Sequence, residues 1–395
     1  MSNINLGRDN TIDIVKAIGI IFVVIGHCCA IPRHGGDVSW QIYICDYIYT
    51  FHMPLFFFVS GYFFSNRCLD DKFNFIKKKF IGLWVPYIKW SLFFVLLHNT
   101  LVNIGMYGSF GETEPITFDT FQLIKRIIAT LLFLGGDQLI GGFWFIPMLF
   151  YASIYSLFMM WLIRFLVNKL KIPNKENLYN ILIVVGISLF LIISTLFSFF
   201  QFSIAKIGIT SNIFLASSIF LTGHLASILY NKYKDKIKKT TDIIFICIAT
   251  IISILVSIYH PTEFHNFNNC YDVINIWFVG CIGTWTWVLI SKYISQLNSS
   301  TNKFLIYIGK NTMIILALHF SCFKIINLMK IYYYNLSDVP YGSFPIIAND
   351  PSSNNLFWWT LYIIVGVFIP ITIQWFYDKF KLSIKQNKIP IDKRQ

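Results

Sequence analysis

Apolar runs of about twenty residues recur along the chain, and the short segments between them hold most of its lysines and arginines. A run of that length forms a helix long enough to cross the hydrocarbon core of a bilayer. The pattern predicts ten membrane spans near residues 12–31, 42–65, 80–103, 143–164, 178–202, 209–230, 241–259, 271–291, 304–330 and 356–377. A further run at 121–135, FQLIKRIIATLLFLG, is short, contains Lys125 and Arg126, and is followed by Gly136 after its closing Gly135. If it spans, the basic loop at 165–177 and the C-terminal segment share the outer side, against the usual charge asymmetry. If it lies at the interface or re-enters, the charges sort cleanly.

With ten spans, segments on the N-terminal side hold 23 of the 32 lysines and arginines: Arg8, the loops at 66–79, 164–177, 231–239 and 292–303, and the basic tail from 378. The opposite side holds Arg33, Lys125, Arg126 and Lys206. By the positive-inside rule both termini are expected in the cytoplasm. The fold class is an all-α polytopic membrane protein. One bundle of about ten helices, plus one short interfacial or re-entrant helix, occupies 1–395 as a single membrane domain ending in the basic tail 378–395.

Composition agrees with this class. Hydrophobic residues make up 56% of the chain and charged residues 13%, against about 25% charged in soluble domains. The net charge of +13 belongs to the loops, so nucleic acid is not an expected partner. Eight cysteines show no CxxC pair and no metal-ligand spacing, so neither a disulfide nor a metal site is inferred. Asp13 and Lys16 interrupt the start of the first run, which also outlasts the core of a signal peptide. It is read as an uncleaved span.

That first run contains KAIGIIFVVIGH, residues 16–27. On a helix Lys16 and His27 lie roughly 16 Å apart along the axis and about 20° apart around it. Ionisable groups within a membrane are costly and by default functional. Asp13, one turn before Lys16, can pair with it, and near a helix end Lys16 can also snorkel. The second run, FHMPLFFFVSGYFFS (51–65), adds His52, a kink at Pro54, and Ser60 and Gly61, which permit close helix contact. KKKFIGLWVPY (77–87) sets Lys77, Lys78 and Lys79 at the start of the third run, suited to topogenic charge or phosphate binding. His98 and His224 are read as packing residues, His260 and His265 as solvated.

Taken in order, these stretches resemble the acyltransferase 3 family of bacterial integral-membrane O-acyltransferases. The likeness rests on IDIVKAIGIIFVVIGH, with its cation-x10-His spacing, on FHMPLFFFVSGYFF, on the basic run ending at Pro86, on FWFIPMLFY (143–151), and on IGKNTMIILALHF (308–320). The signature cation is Lys16 where many members carry arginine. FWFIPMLFY lacks the acidic residue of some relatives, which points to the stand-alone, sugar-modifying type.

The resemblance implies a reaction. A cytoplasmic acyl-CoA, acetyl-CoA foremost, serves as co-substrate with no permanently bound cofactor and no metal. Its acetyl or succinyl group passes to a hydroxyl of a cell-surface or lipid-linked glycan. The catalytic set would be His27, Lys16 and Asp13: His27 as general base or transiently acylated, and Lys16, with Lys77 to Lys79, meeting the donor. Ser60, Trp144, Asn311 and His319 are candidates for the oxyanion or substrate, with His52 as a second imidazole. The expected location is the bacterial inner membrane. The competing reading is a transporter or flippase of a lipid-linked glycan or small acid, since intramembrane Lys and His also build proton relays. A cysteine placed at position 112 should be labelled from outside the cell by an impermeant maleimide, and one at 235 should not. Labelling at 235 contradicts the topology.

Overall fold

The computed structural model describes residues 10–29, 40–109, 115–170, 173–204, 208–264, 269–297, 299–347 and 355–387. Arg8, Arg33, Lys206, His265 and the end of the basic tail lie outside them. The helices are α1 (Asn10–His27), α2 (Trp40–Tyr49), α3 (His52–Tyr62), α4 (Arg67–Asp70), α5 (Lys72–Lys79), α6 (Val85–Asn103), α7 (Thr120–Leu131), α8 (Phe145–Lys169), α9 (Lys175–Phe199), α10 (Ser211–Tyr233), α11 (Lys239–Tyr259), α12 (Cys270–Ser295), α13 (Ser300–Lys310), α14 (Thr312–Tyr334) and α15 (Leu356–Asn387). A π-helical turn, Phe80–Trp84, joins α5 to α6, and a 3₁₀ segment, Gln138–Trp144, leads into α8. Among the described residues ten helical segments are long and apolar enough to cross a membrane. The protein is an all-α, multi-pass membrane protein.

Three expected spans differ in their breaks and ends. The 42–65 span is two helices, α2 and α3, parted at Thr50 and Phe51. Pro54 has no N–H to give the Thr50 carbonyl, so the ladder fails four residues upstream. The 304–330 span breaks at Asn311, whose Nδ2 donates to the Tyr307 carbonyl at 2.9 Å. The membrane-length helix is α14, and α13 is a separate element. Helix α15 runs through residue 378 to Asn387, so part of the expected tail is helical.

The segment at 121–135 does not cross. Asp119 and Gln122 form a reciprocal capping box at the start of α7 (2.7 and 3.1 Å). Twelve residues rise roughly 18 Å, too short for a span. The helix runs back along α6: Asn99 bonds the Phe118 backbone near its start, and the Trp84 indole donates to the Leu131 carbonyl at its end. Residues 132–137 then return along α6, with the Tyr87 hydroxyl donating to the Gly135 carbonyl and His98 meeting Asp137, so the chain enters the 3₁₀ segment at the end of the bundle where it left α6.

Helix α1 is central and packs against α3, α12, α13 and α14. Small residues set the closest crossings. On α3, Gly61 faces the Phe220 carbonyl of α10; on α10, Gly223 faces the Phe58 carbonyl of α3. Gly309 of α13 lies over the Asp13 carbonyl of α1 in the same way. Gly61→Val should therefore cost about 1–3 kcal/mol, as overpacking does, whereas Gly136→Ala, where an added Cβ meets nothing within 4 Å, should change stability little. Thermal unfolding of the detergent-purified variants checks this; equal melting temperatures would contradict the reciprocal-glycine crossing.

Candidate active site

Four residues of α1, Lys16, Ile20, Val23 and His27, recur at helical spacing and form one wall of a cavity of about 450 Å³. A second stripe, His52, Phe56, Val59 and Ser60 of α3, faces it. Gly142, Trp144 and Ile146 close a third side. Lys79 at the end of α5 and Gly82 and Leu83 of the π turn join the lining. That turn precedes Pro86, which cannot donate to the Gly82 carbonyl, and its wider register is a local answer to the missing bond. The cavity thus carries two ammonium groups, Lys16 and Lys79, toward the N-terminal end of α1 and two imidazoles, His27 and His52, toward the other.

Of the residues singled out from the sequence, Lys16, His27, His52, Ser60, Lys79 and Trp144 line this cavity. Lys77 and Lys78 are exposed on α5 and lie outside its wall. Asp13 is buried where α1 meets α13, Asn311 sits at the α13–α14 break, and neither lines the cavity. His98 pairs with Asp137 at 3.0 Å, and His260 bonds Asp272 at 2.8 Å.

His319 touches the site through His27. Its Nδ1 lies 2.9 Å from the Ile315 carbonyl, which can only accept, so Nδ1 carries the proton. In the neutral ring Nε2 is then an acceptor, and it lies 2.8 Å from His27 Nδ1. The two rings are 11° from parallel with centroids 5.0 Å apart, so the bond runs close to both ring planes. His27 must donate from Nδ1, which leaves the lone pair on Nε2. His52 is tied in the same sense, Nδ1 to the Ile48 carbonyl at 3.0 Å.

A second cavity, about 420 Å³, lies beyond His27 and is lined by His27, Gln138, Gly141, Phe320, Phe344 and Pro345. The two cavities share one lining residue, His27. The 3₁₀ segment between them is clamped. Asp137 accepts from the Tyr107 hydroxyl (2.6 Å) and the Leu139 N–H (3.0 Å), and Gln138 exchanges two hydrogen bonds with the Gly108 backbone (2.9 and 3.1 Å). Burial first, and then the neighbouring Asp137 carboxylate, push the Tyr107 hydroxyl well above the usual tyrosine range, so it remains a donor. Close by, Cys29, two residues past His27, forms a disulfide with Cys45.

Sequence reading missed Glu263, Gln138 and Phe344. Glu263 enters the first cavity from the α11–α12 loop. That loop is pinned by Asn212 to the Phe264 carbonyl (3.1 Å) and by Asn275 to Thr262 (3.3 Å). Glu263 and Phe344 lie in loops and Gln138 opens the 3₁₀ segment, all outside any periodic pattern, and long-range packing brings each to a cavity that His27 also lines.

A family model described as an acyltransferase domain matches residues 9–375. Nodulation protein NolL of Sinorhizobium fredii is 30% identical over 129 residues, which cover 32% of this chain and 33% of that protein. NolL of Mesorhizobium japonicum is 30% identical over 141 residues, 35% of this chain and 32% of that one. The chain thus spans about a third of the length of the curated relatives it matches. No solved structure matches the chain significantly.

In ¹⁵N-histidine-labelled protein at neutral pH, His27 should show a protonated Nδ1 and an unprotonated Nε2, and His319→Phe should abolish that preference. A protonated Nε2 on the unliganded, neutral ring would contradict the assignment.

Proposed function

We propose that this chain, which belongs to the acyltransferase 3 family, is a membrane O-acyltransferase that moves an acyl group from acyl-CoA, acetyl-CoA foremost, to a glycan hydroxyl, with His27 as general base. The observation that carries the reading is the sharing of His27 by two cavities. One cavity holds the cations suited to an anionic donor; the other opens beyond the imidazole and can admit a second substrate. A reaction joining two substrates at one proton acceptor needs such a junction.

In this mechanism the acceptor hydroxyl gives its proton to His27 Nε2 as its oxygen attacks the thioester carbonyl. The tetrahedral intermediate collapses with cleavage of the C–S bond, and the departing sulfur takes the proton back from His27. His319 Nε2 accepts from Nδ1 throughout, holding the ring in its tautomer and favouring the transient imidazolium. Lys16 and Lys79 would meet the donor's phosphates. Ser60 and Trp144, which line the first cavity, would donate to the developing oxyanion.

Two independent features support placing the N-terminal face in the cytoplasm of a bacterial cell. Lysines and arginines concentrate there. The Cys29–Cys45 disulfide lies at the His27 end, and disulfides persist on the oxidising, outer side of a membrane. Acyl-CoA would then enter from within and the glycan from outside.

His27→Ala should lower acyl transfer about 10²–10⁴-fold, the usual contribution of a general base, with acyl-CoA binding retained. Lys16→Met should weaken acyl-CoA binding about tenfold or more, the scale of one hydrogen bond to a charged group, and Lys16→Arg should recover most of it. Transfer assays and donor titrations on the same folded proteins check both. A folded, fully active His27→Ala protein would overturn the mechanism.

A further inference from the structure

Helix α14 carries Lys324, Asn327 and Lys330 at three-residue steps, each no more than 1% exposed. All three hold backbone. Lys324 Nζ donates to the carbonyls of Gly342 (2.9 Å) and Ser343 (2.7 Å). Asn327 Nδ2 donates to those of Tyr341 (2.9 Å) and Ser343 (3.1 Å), while its Oδ1 accepts from the Tyr362 hydroxyl at 2.6 Å. Lys330 Nζ donates to the Ile347 carbonyl at 3.1 Å. Buried ammonium groups in a membrane-length helix are costly, and here they fix the path of one loop, residues 340–347.

What that loop delivers is Phe344. Its ring centroid lies 4.8 Å from that of Phe320, which in turn lies 4.7 Å from His27. Lys324 Nζ sits 5.5 Å from the Phe344 centroid, so the group that holds the loop also backs the ring. Gly141 keeps the facing wall low, since an added Cβ would come within 3.4 Å of Phe320 and 3.5 Å of Phe344. Among the described residues, His27 is the one titratable side chain that lines this cavity. A flat aromatic wall suits the C–H face of a sugar ring, while a carboxylate or phosphate placed there would lose its hydration and meet no cation among the described lining residues except His27.

Building on the acyl-transfer reading, we propose that the outer cavity is a selective acceptor subsite for an uncharged sugar ring. Phe344 is its stacking platform, and Lys324, Asn327 and Lys330 are the positioning residues. The ring would lie on Phe344 and Phe320 and turn one hydroxyl toward His27 Nε2.

The full-length protein in nanodiscs, supplied with acetyl-CoA, tests this with three probes: methyl β-glucoside, methyl β-glucuronide and cyclohexanol. The expected result is saturable acylation of the glucoside, with kcat/KM at least tenfold lower for the glucuronide and for cyclohexanol. Phe344→Ala should raise the glucoside KM at least tenfold with kcat within threefold, and Phe344→Trp should restore it. Lys324→Met should shift KM in the same direction as Phe344→Ala. Equal or better use of the glucuronide or cyclohexanol, an unchanged KM in folded Phe344→Ala, or a wild type that binds acetyl-CoA yet acylates no glycoside would overturn the subsite. A wild type that neither binds acetyl-CoA nor acylates any of the three would instead defeat the acyltransferase reading on which it rests.

Discussion

The hydrogen bond from His27 Nδ1 to His319 Nε2 is the interaction on which the candidate site depends, because it decides where the lone pair of His27 lies. That bond in turn depends on the Ile315 carbonyl, one helical turn before His319, which fixes the second ring. The cause is general to membranes: a polar group away from water must find its partner within the protein. Two histidines on α1 and α14 meet that requirement by pairing with each other and with backbone. The pairing leaves one nitrogen, His27 Nε2, with a basic lone pair at the junction of two cavities.

The same requirement organises the His27 end of the bundle. Lys324, Asn327 and Lys330 satisfy the carbonyls of the 340–347 loop, and Asp137 and Gln138 tie the 3₁₀ segment to Tyr107 and Gly108. The 340–347 loop and the 3₁₀ segment are therefore held by side chains of the bundle. Gly342 packs so closely on the Tyr107 carbonyl that a side chain there would overlap it, which joins the two clamped segments. His27 thus sits beneath a fixed roof. In the proposed mechanism this rigidity keeps the acceptor hydroxyl aligned with the base.

Much of this was legible in the sequence, and the limits have physical reasons. The ten membrane-length segments follow from apolar run length, and the Lys16–His27 stripe follows from helical periodicity, since both are local properties. The non-crossing path of residues 121–135 was foreshadowed by their length and charge. Which lysine of Lys77, Lys78 and Lys79 faces the cavity was not legible, because the π turn resets the helical register between α5 and α6. Glu263, Gln138 and Phe344 escaped notice because loops and a short 3₁₀ segment carry no readable period. The partnership of His27 with His319, 292 residues apart, is a contact that no local pattern encodes.

The central claim is that one histidine serves substrates arriving from opposite faces. The direct measurement is transfer across sealed, inside-out membrane vesicles in which acyl-CoA and a glycan acceptor can each be confined to one side. The account predicts an ester product when acyl-CoA is outside the vesicle, on the former cytoplasmic face, and the acceptor is sealed within. It predicts none when both are on the cytoplasmic face. Product formed with both substrates on that face, in vesicles shown to be sealed, would contradict it.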